Sequence, residues 1–357
     1  MHGVAIREAQ GPAGPPWQRP LRGALDALVV ESEVLASNRL ADPPRRPVYV
    51  YRSPGVVAGA ATGVPSVYVL QGFTGQVDHW LCRPTFDLTP IERLDAMFAD
   101  PDEPCPDAIV VYVDAWTSIG GSQFLNSSAT GRYLDYLCDE IVEFIDDRYP
   151  SAADRGRRGI AGHSSGGYGA MVVPMLRPDV FGALASHAGD ALFEVAYLRE
   201  FPSAVRSLRD HFDGSVETFL HELRAADHFD YGHFGPFLNL YAMAAAYSPD
   251  PDDRGGVILP VELPTGRLRD DVWARWLEHD PVRMAARHAD ALRSMRRIYL
   301  DAGRSDDYYL DLGAQAFSAE LAKLGVEHTF ELFDGRHGGV GYRYPGAIRE
   351  LVRALAG

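Results

Sequence analysis

A serine built for nucleophilic attack stands in Gly162-His163-Ser164-Ser165-Gly166, directly after the short apolar run Gly159-Ile160-Ala161. The pattern G-x-S-x-G is that of a nucleophile elbow, a sharp strand-to-helix turn. A hydroxyl attacks well only when it stands clear of the sheet beside a base. That requires a tight turn with the serine in a strained backbone conformation. Gly162 and Gly166 let the neighbouring backbone pass without a side chain in the way. The helix that follows turns its free N–H groups and positive end toward the hydroxyl.

A base should lie downstream. His337 follows the run His328–Phe333 and sits among glycines, in Asp334-Gly335-Arg336-His337-Gly338-Gly339. Its role would be general base toward Ser164, then general acid toward the leaving group. A carboxylate must orient it. Asp306 is the preferred candidate, in the first turn past the run Arg296–Gly303. Asp307, one residue on, and Asp190, after the run Ala183–Gly189, are alternatives. Asp334 is too close to His337 along the chain and shapes the turn. The order Ser…Asp…His is that of the α/β-hydrolases. No metal-ligand spacing appears, and no cofactor is expected.

An oxyanion needs two fixed donors. In such folds one is the N–H after the nucleophile, here Ser165, and the other lies in the loop after an earlier strand. That strand is Pro65–Leu70, ending at Gln71-Gly72-Phe73-Thr74-Gly75, so the second donor would be the N–H of Phe73. His79 and Trp80 follow closely and are pocket candidates, with His79 as a plain helix cap the alternative. Trp116 and Phe124 lie in the polar loop after the strand Ala108–Asp114, where ligands bind in parallel sheets. They would line the pocket or pack the loop down. His163, inside the elbow, is a further pocket candidate.

These residues need a mostly parallel sheet. Runs at 27–35, 47–51, 65–70, 108–114, 183–189, 296–303 and 328–333 read as strands, several apolar throughout, as strands buried on both faces are. Helical spacing marks 91–98, 132–149, 310–324 and 347–355. Pro174 should kink or shorten the helix after the elbow. Residues 1–20 are rich in Gly and Pro and read as a flexible tail. Residues 21–189 and 291–357 form the α/β-hydrolase core. Residues 190–290 break the strand–helix alternation, with helical stretches near 203–211, 216–225, 235–247 and 271–278, and read as an inserted, mostly helical cap.

The net charge of −15 speaks against nucleic acid or an anionic membrane as partner. No signal-peptide pattern opens the chain, and no apolar run is long enough to span a bilayer. Cys82, Cys105 and Cys138 form no C-x-x-C and read as reduced thiols, so a cytoplasmic location is expected. A homodimer is compatible with the sequence.

The stretch Gly162–Ala170, with Pro178-Asp179-Val180-Phe181 and Ser186, resembles the putative-esterase family of α/β-hydrolases, which includes esterase D (S-formylglutathione hydrolase), enterochelin esterases and mycobacterial mycolyltransferases. Leu70–Gly75 resembles its oxyanion loop. Gly120-Gly121-Ser122, with Tyr133 and Leu137, is similar to its segment before the elbow. Asp301–Asp306 resembles its acid motif, which ranks Asp306 above Asp307. The chain departs from the family in having Ser165 after the nucleophile, in lacking Gly-Gly before His337, and in the 190–290 insertion. The resemblance implies hydrolysis of a small-molecule carboxylic ester or thioester through an acyl-enzyme on Ser164. Its alternatives are acyl transfer of the mycolyltransferase type and a non-catalytic binding protein on the same fold. Arg304, Arg336 and Arg343 lie near the catalytic loops and would receive an anionic substrate group if they face the pocket.

Overall fold

The computed structural model describes residues 19–83, 85–253 and 256–357. Most of the expected N-terminal tail, residues 1–18, lies outside them. The eight strands of the main sheet are β1 (Ala24–Glu31), β2 (Arg45–Arg52), β3 (Ser66–Leu70), β4 (Ile109–Val113), β5 (Arg158–His163), β6 (Ala183–His187), β7 (Arg297–Gly303) and β8 (Thr329–Phe333). Their order is β1-β2-β4-β3-β5-β6-β7-β8. The pairs from β4 to β8 are parallel, and β2 is antiparallel to both its neighbours. β3 and β4 are buried along their whole length, as the unbroken apolar runs require.

The helices of seven residues or more are α1 (Pro90–Phe98), α2 (Val142–Arg148), α3 (Ser165–Leu176), α4 (Phe201–His211), α5 (Val216–Ala225), α6 (Tyr231–Tyr247), α7 (Asp270–Leu277), α8 (Pro281–Arg287), α9 (Leu310–Lys323) and α10 (Tyr344–Ala356). One face of the sheet packs on α1 and α10. The other packs on α2, α3, α8 and α9. The chain therefore has the three-layer α/β architecture, with the carboxyl ends of the parallel strands facing one side.

Three elements differ from expectation. β1 ends at Glu31 instead of Leu35, because Ser32 turns the chain: its Oγ accepts from Leu35 N–H at 3.1 Å. The stretch at 132–149 is not one α-helix; a π-helical turn, Tyr136–Ile141, precedes α2. Leu137, Cys138, Ile141 and Ile145 are buried, and Leu134 and Phe144 pack partly buried against the same core. α3 runs past Pro174 to Leu176. The missing N–H costs one hydrogen bond near the end of a helix whose other positions are held by burial.

The segment between β6 and β7 is mostly helical among the described residues and divides in two. α8 packs against α3 and α9, within the layer that covers the sheet. α4 to α7 form a cluster whose core is aromatic, with Phe212, Phe219, Phe237 and Trp276 fully buried. Each such side chain contributes roughly 2–3 kcal/mol of apolar burial. Fully buried Asp280 anchors the entry to this cluster. Its carboxylate accepts from Leu192 and Phe193 N–H, each at 3.1 Å, and caps α8 through Val282 N–H at 3.0 Å. Among the described residues no helix is long and apolar enough to cross a membrane.

Candidate active site

Ser164 lies at the junction of β5 and α3 with φ 58° and ψ −127°, a conformation that residues with a Cβ rarely adopt. Two contacts hold it there. Its N–H donates to the His187 carbonyl at 3.0 Å, and its carbonyl accepts from Tyr168 N–H at 2.8 Å. The turn is closed enough to demand both glycines. A Cβ on Gly162 would lie 2.2 Å from the Gly166 carbonyl oxygen, and one on Gly166 would lie 2.4 Å from the Leu70 carbonyl oxygen.

His337, in the loop after β8, meets Asp306, in the loop after β7: Nδ1 and Oδ2 are 2.8 Å apart. The other carboxylate oxygen accepts from Tyr308 N–H at 2.8 Å and Leu310 N–H at 3.2 Å. The Asp306 side chain is fully buried. Burial alone would raise its pKa, but the hydrogen bond and charge of the His337 ring and the two N–H donors outweigh it. The carboxyl is held below its ordinary value.

The other two aspartates face elsewhere. Asp307 binds the Arg336 side chain, whose Nε donates at 3.0 Å, and accepts only the backbone N–H of His337, at 3.3 Å. Asp190 Oδ2 collects three donors: Tyr197 OH at 2.9 Å, Gln123 Nε2 at 3.1 Å and Ser165 Oγ at 3.1 Å. Burial pushes the Asp190 carboxyl up, against the pull of these donors. Neither aspartate contacts the His337 ring, so of the three candidates the geometry pairs Asp306 with it.

Ser164, Ser165, Phe73, His163 and His337 share the wall of one cavity of about 280 Å³. The Ser165 N–H opens α3 and has no acceptor within its own helix. Gly72 and Thr74, which flank Phe73, line the same cavity. The Phe73 ring sits where a Cβ of Gly120 would be, with Cε2 2.2 Å from that position, and Gly120 has φ 115°. A glycine there seats the ring and with it the loop carrying the Phe73 N–H.

Four pocket candidates fall outside this wall, one packed into the core and three lining other hollows. Phe124 is buried against Gly169 of α3, because Gln123 and Phe124, both at positive φ, turn the loop inward. Trp116 lines a separate groove with Leu223 and Phe229. His79 and Trp80 line a second cavity of about 500 Å³, which shares Gly72, Phe73, Thr74 and His163 with the first. The three arginines also turn away. Arg304 pairs with Asp334 at 3.3 Å, Arg336 with Asp307, and Arg343 with Asp301 at 2.9 Å and with Glu331. None of them lines the first cavity.

Sequence reasoning missed the support beneath the elbow. His163, His187 and Asp301 are aligned by strand register across β5, β6 and β7. His187 Nδ1 is 2.6 Å from Asp301 Oδ1, both side chains being fully buried. The pair fixes the end of β6, whose carbonyl holds Ser164 N–H. A histidine ending one core strand and an aspartate in the next were the only sequence signals. Gln123, Tyr197 and Tyr247 were missed too: Gln123 bridges Asp190 to Tyr247 OH at 2.9 Å, and nothing local in the sequence marks that reach.

His163 packs its ring 4.4 Å from that of His337. Burial, with the neighbouring His337 and His187 rings adding to it, pushes its pKa down to about 3. The folded chain thus refuses a proton that the unfolded chain takes up below about pH 6.5. Stability must fall as the pH drops, by about 2 kcal/mol between pH 7 and pH 5 from this ring alone. Denaturant unfolding at the two pH values should show a difference smaller by about that amount in His163→Gln. An equal difference in both proteins would show that His163 is not the source.

A family model described as "Putative esterase" matches residues 45–344. Among solved structures, a ferulic acid esterase aligns with TM-score 0.57 at 17% identity, covering 94% of this chain and 100% of its own. An S-formylglutathione hydrolase from Agrobacterium tumefaciens aligns with TM-score 0.55 at 15% identity, covering 95% and 98%. MPT51 of Mycobacterium tuberculosis aligns with TM-score 0.54 at 18% identity, covering 93% and 99%. A search of curated protein sequences finds no match. The structural likenesses establish the α/β-hydrolase fold.

Proposed function

The chain belongs to the putative-esterase family and is a carboxylesterase-type hydrolase, and from that premise we propose that it cleaves carboxylic esters through an acyl-enzyme on Ser164. The observation that carries the reading is the joint placement of the Ser164 elbow and the Asp306–His337 pair, at 2.8 Å, around one cavity.

His337 takes the Ser164 proton as the oxygen attacks the ester carbon. Asp306 accepts from Nδ1–H, which keeps the acceptor nitrogen toward the serine and stabilises the charged ring that forms. Negative charge gathers on the former carbonyl oxygen, within reach of the N–H groups of Ser165 and Phe73. Each such fixed donor is worth about 3 kcal/mol in the transition state. As the tetrahedral intermediate collapses, His337 returns the proton to the departing alcohol. Water then attacks the acyl-enzyme by the same route, releasing the acid and restoring Ser164. The acyl group occupies the 280 Å³ cavity, and the alcohol leaves toward the cavity lined by His79 and Trp80. A thioester would follow the same steps with a thiol leaving.

Rapid quenching of turnover on p-nitrophenyl butyrate, followed by peptide mass spectrometry, tests this. A butyryl adduct, 70 Da heavier, is expected on the peptide bearing Ser164. Turnover with the adduct on another residue, or with none at any quench time, would overturn the acyl-enzyme assignment.

A further inference from the structure

The cavity beside Ser164 has an unusual chemical balance. Asp190 and Glu200 line it, together with the rings of Tyr197, Tyr231 and Tyr308, and among the described residues no arginine or lysine does. Asp190 is 6% exposed and spends only Oδ2 on its three neutral donors; Oδ1 receives none from the described residues. It forms no ion pair with any described arginine or lysine. Glu200, by contrast, pairs with Arg199 at 2.9 Å. Ser165 completes the design: its hydroxyl donates to Asp190 from the position next to the nucleophile.

A buried carboxylate with no arginine or lysine beside it is costly and asks for a cation. Aromatic faces beside it favour an ammonium group over a neutral one. The chain's net charge of −15 draws cations and repels anions at long range. A carboxylate-bearing acyl group would meet the Asp190 charge with no arginine to receive it.

We infer that the cavity selects esters whose acyl group carries a cationic ammonium, seated between Asp190 and the tyrosine rings. The inference rests on the reading of Ser164 as the nucleophile and of this cavity as the acyl site. A bound cation would also bring the raised Asp190 carboxyl back toward ionisation, so ligand and carboxylate reinforce one another.

The test compares two p-nitrophenyl esters of equal shape, 4-(trimethylammonio)butyrate and 5,5-dimethylhexanoate, which differ only in charge. Wild type should favour the cationic ester in kcat/KM by about tenfold or more. Asp190→Asn keeps the shape and removes the charge, and should bring the ratio down about tenfold. Tyr231→Leu alters a half-exposed ring at the cavity mouth, leaves the core alone, and should lower the ratio about threefold. A wild-type ratio of one or less, or a ratio unmoved by both variants, overturns the inference while turnover of the neutral ester leaves the esterase reading standing. If neither ester is hydrolysed, the esterase reading fails, and calorimetric titration of tetramethylammonium into wild type and Asp190→Asn still decides. Binding by wild type that weakens at least tenfold in the variant supports the cation site; no binding, or equal binding, rejects it.

Discussion

Ser164→Ala is expected to lower kcat for every ester the protein hydrolyses by about 10³-fold or more. The loss follows from chemistry and not from folding. Alanine suits the φ of 58° no worse than serine does, and the backbone bonds to His187 and Tyr168 do not involve the hydroxyl. The melting temperature should therefore stay close to that of wild type. Without the hydroxyl, only the Phe73 and Ser165 N–H groups and substrate binding remain, and such remnants still exceed the rate in water by orders of magnitude. Wild-type and variant progress curves on a p-nitrophenyl ester series check this. A variant within tenfold of wild type would remove Ser164 from the mechanism.

The second large effect concerns Asp306→Asn. The amide is isosteric, so the turn held by Tyr308 and Leu310 N–H should survive through the side-chain oxygen. The amide nitrogen would face His337 Nδ1 in place of the carboxylate. It donates where the carboxylate accepted, so the ring proton moves to the nitrogen that must accept from Ser164. A fall in kcat of about 10³–10⁴-fold is expected, with a much smaller change in KM. Asp307→Asn touches only an exposed contact to Arg336 and a backbone N–H, and should cost less than tenfold. The reverse ranking would move the orienting role to Asp307. Stability carries a matching signature. A carboxyl held below its ordinary pKa stabilises the fold above about pH 4 and loses that contribution as the pH falls through its folded value. Acid unfolding of Asp306→Asn should therefore be shallower below about pH 4.

The fold class was legible because burial writes itself locally. Strands such as Ser66–Leu70 and Ile109–Val113 are buried on both faces, so each position had to be apolar and the run stood out. Helices at 310–323 and 344–356 showed the same clarity through their apolar stripes. Less was legible where a side chain's direction depends on the path of a loop. Phe124 could line the pocket or pack its loop down, and two consecutive residues at positive φ turn it into the core. Arg336 would receive an anion only if it faced the pocket, and the loop after β8 sends it to Asp307 and solvent. A helix beginning at Pro281 escaped notice, since its seven residues show barely two turns of pattern.

By itself the sequence determined the elbow. Gly162 and Gly166 flank Ser164 because a Cβ at either would strike backbone about 2 Å away, a local demand that any chain making this turn must meet. It also determined the order of the serine, the acidic residues and the histidine, which is a property of the chain and not of its folding. Which acid meets His337 was decided only in three dimensions. Asp190, Asp306 and Asp307 all follow core strands, and adjacent residues on a turn point in different directions, so spacing cannot separate them. The tertiary structure sends Asp306 to the ring, Asp307 to Arg336, and Asp190 across to Ser165, Tyr197 and Gln123. The acidic, tyrosine-lined character of the cavity arises the same way. It is assembled from residues as distant as Asp190 and Tyr308, which only the packing of the helices after β6 onto the strand ends brings to one wall.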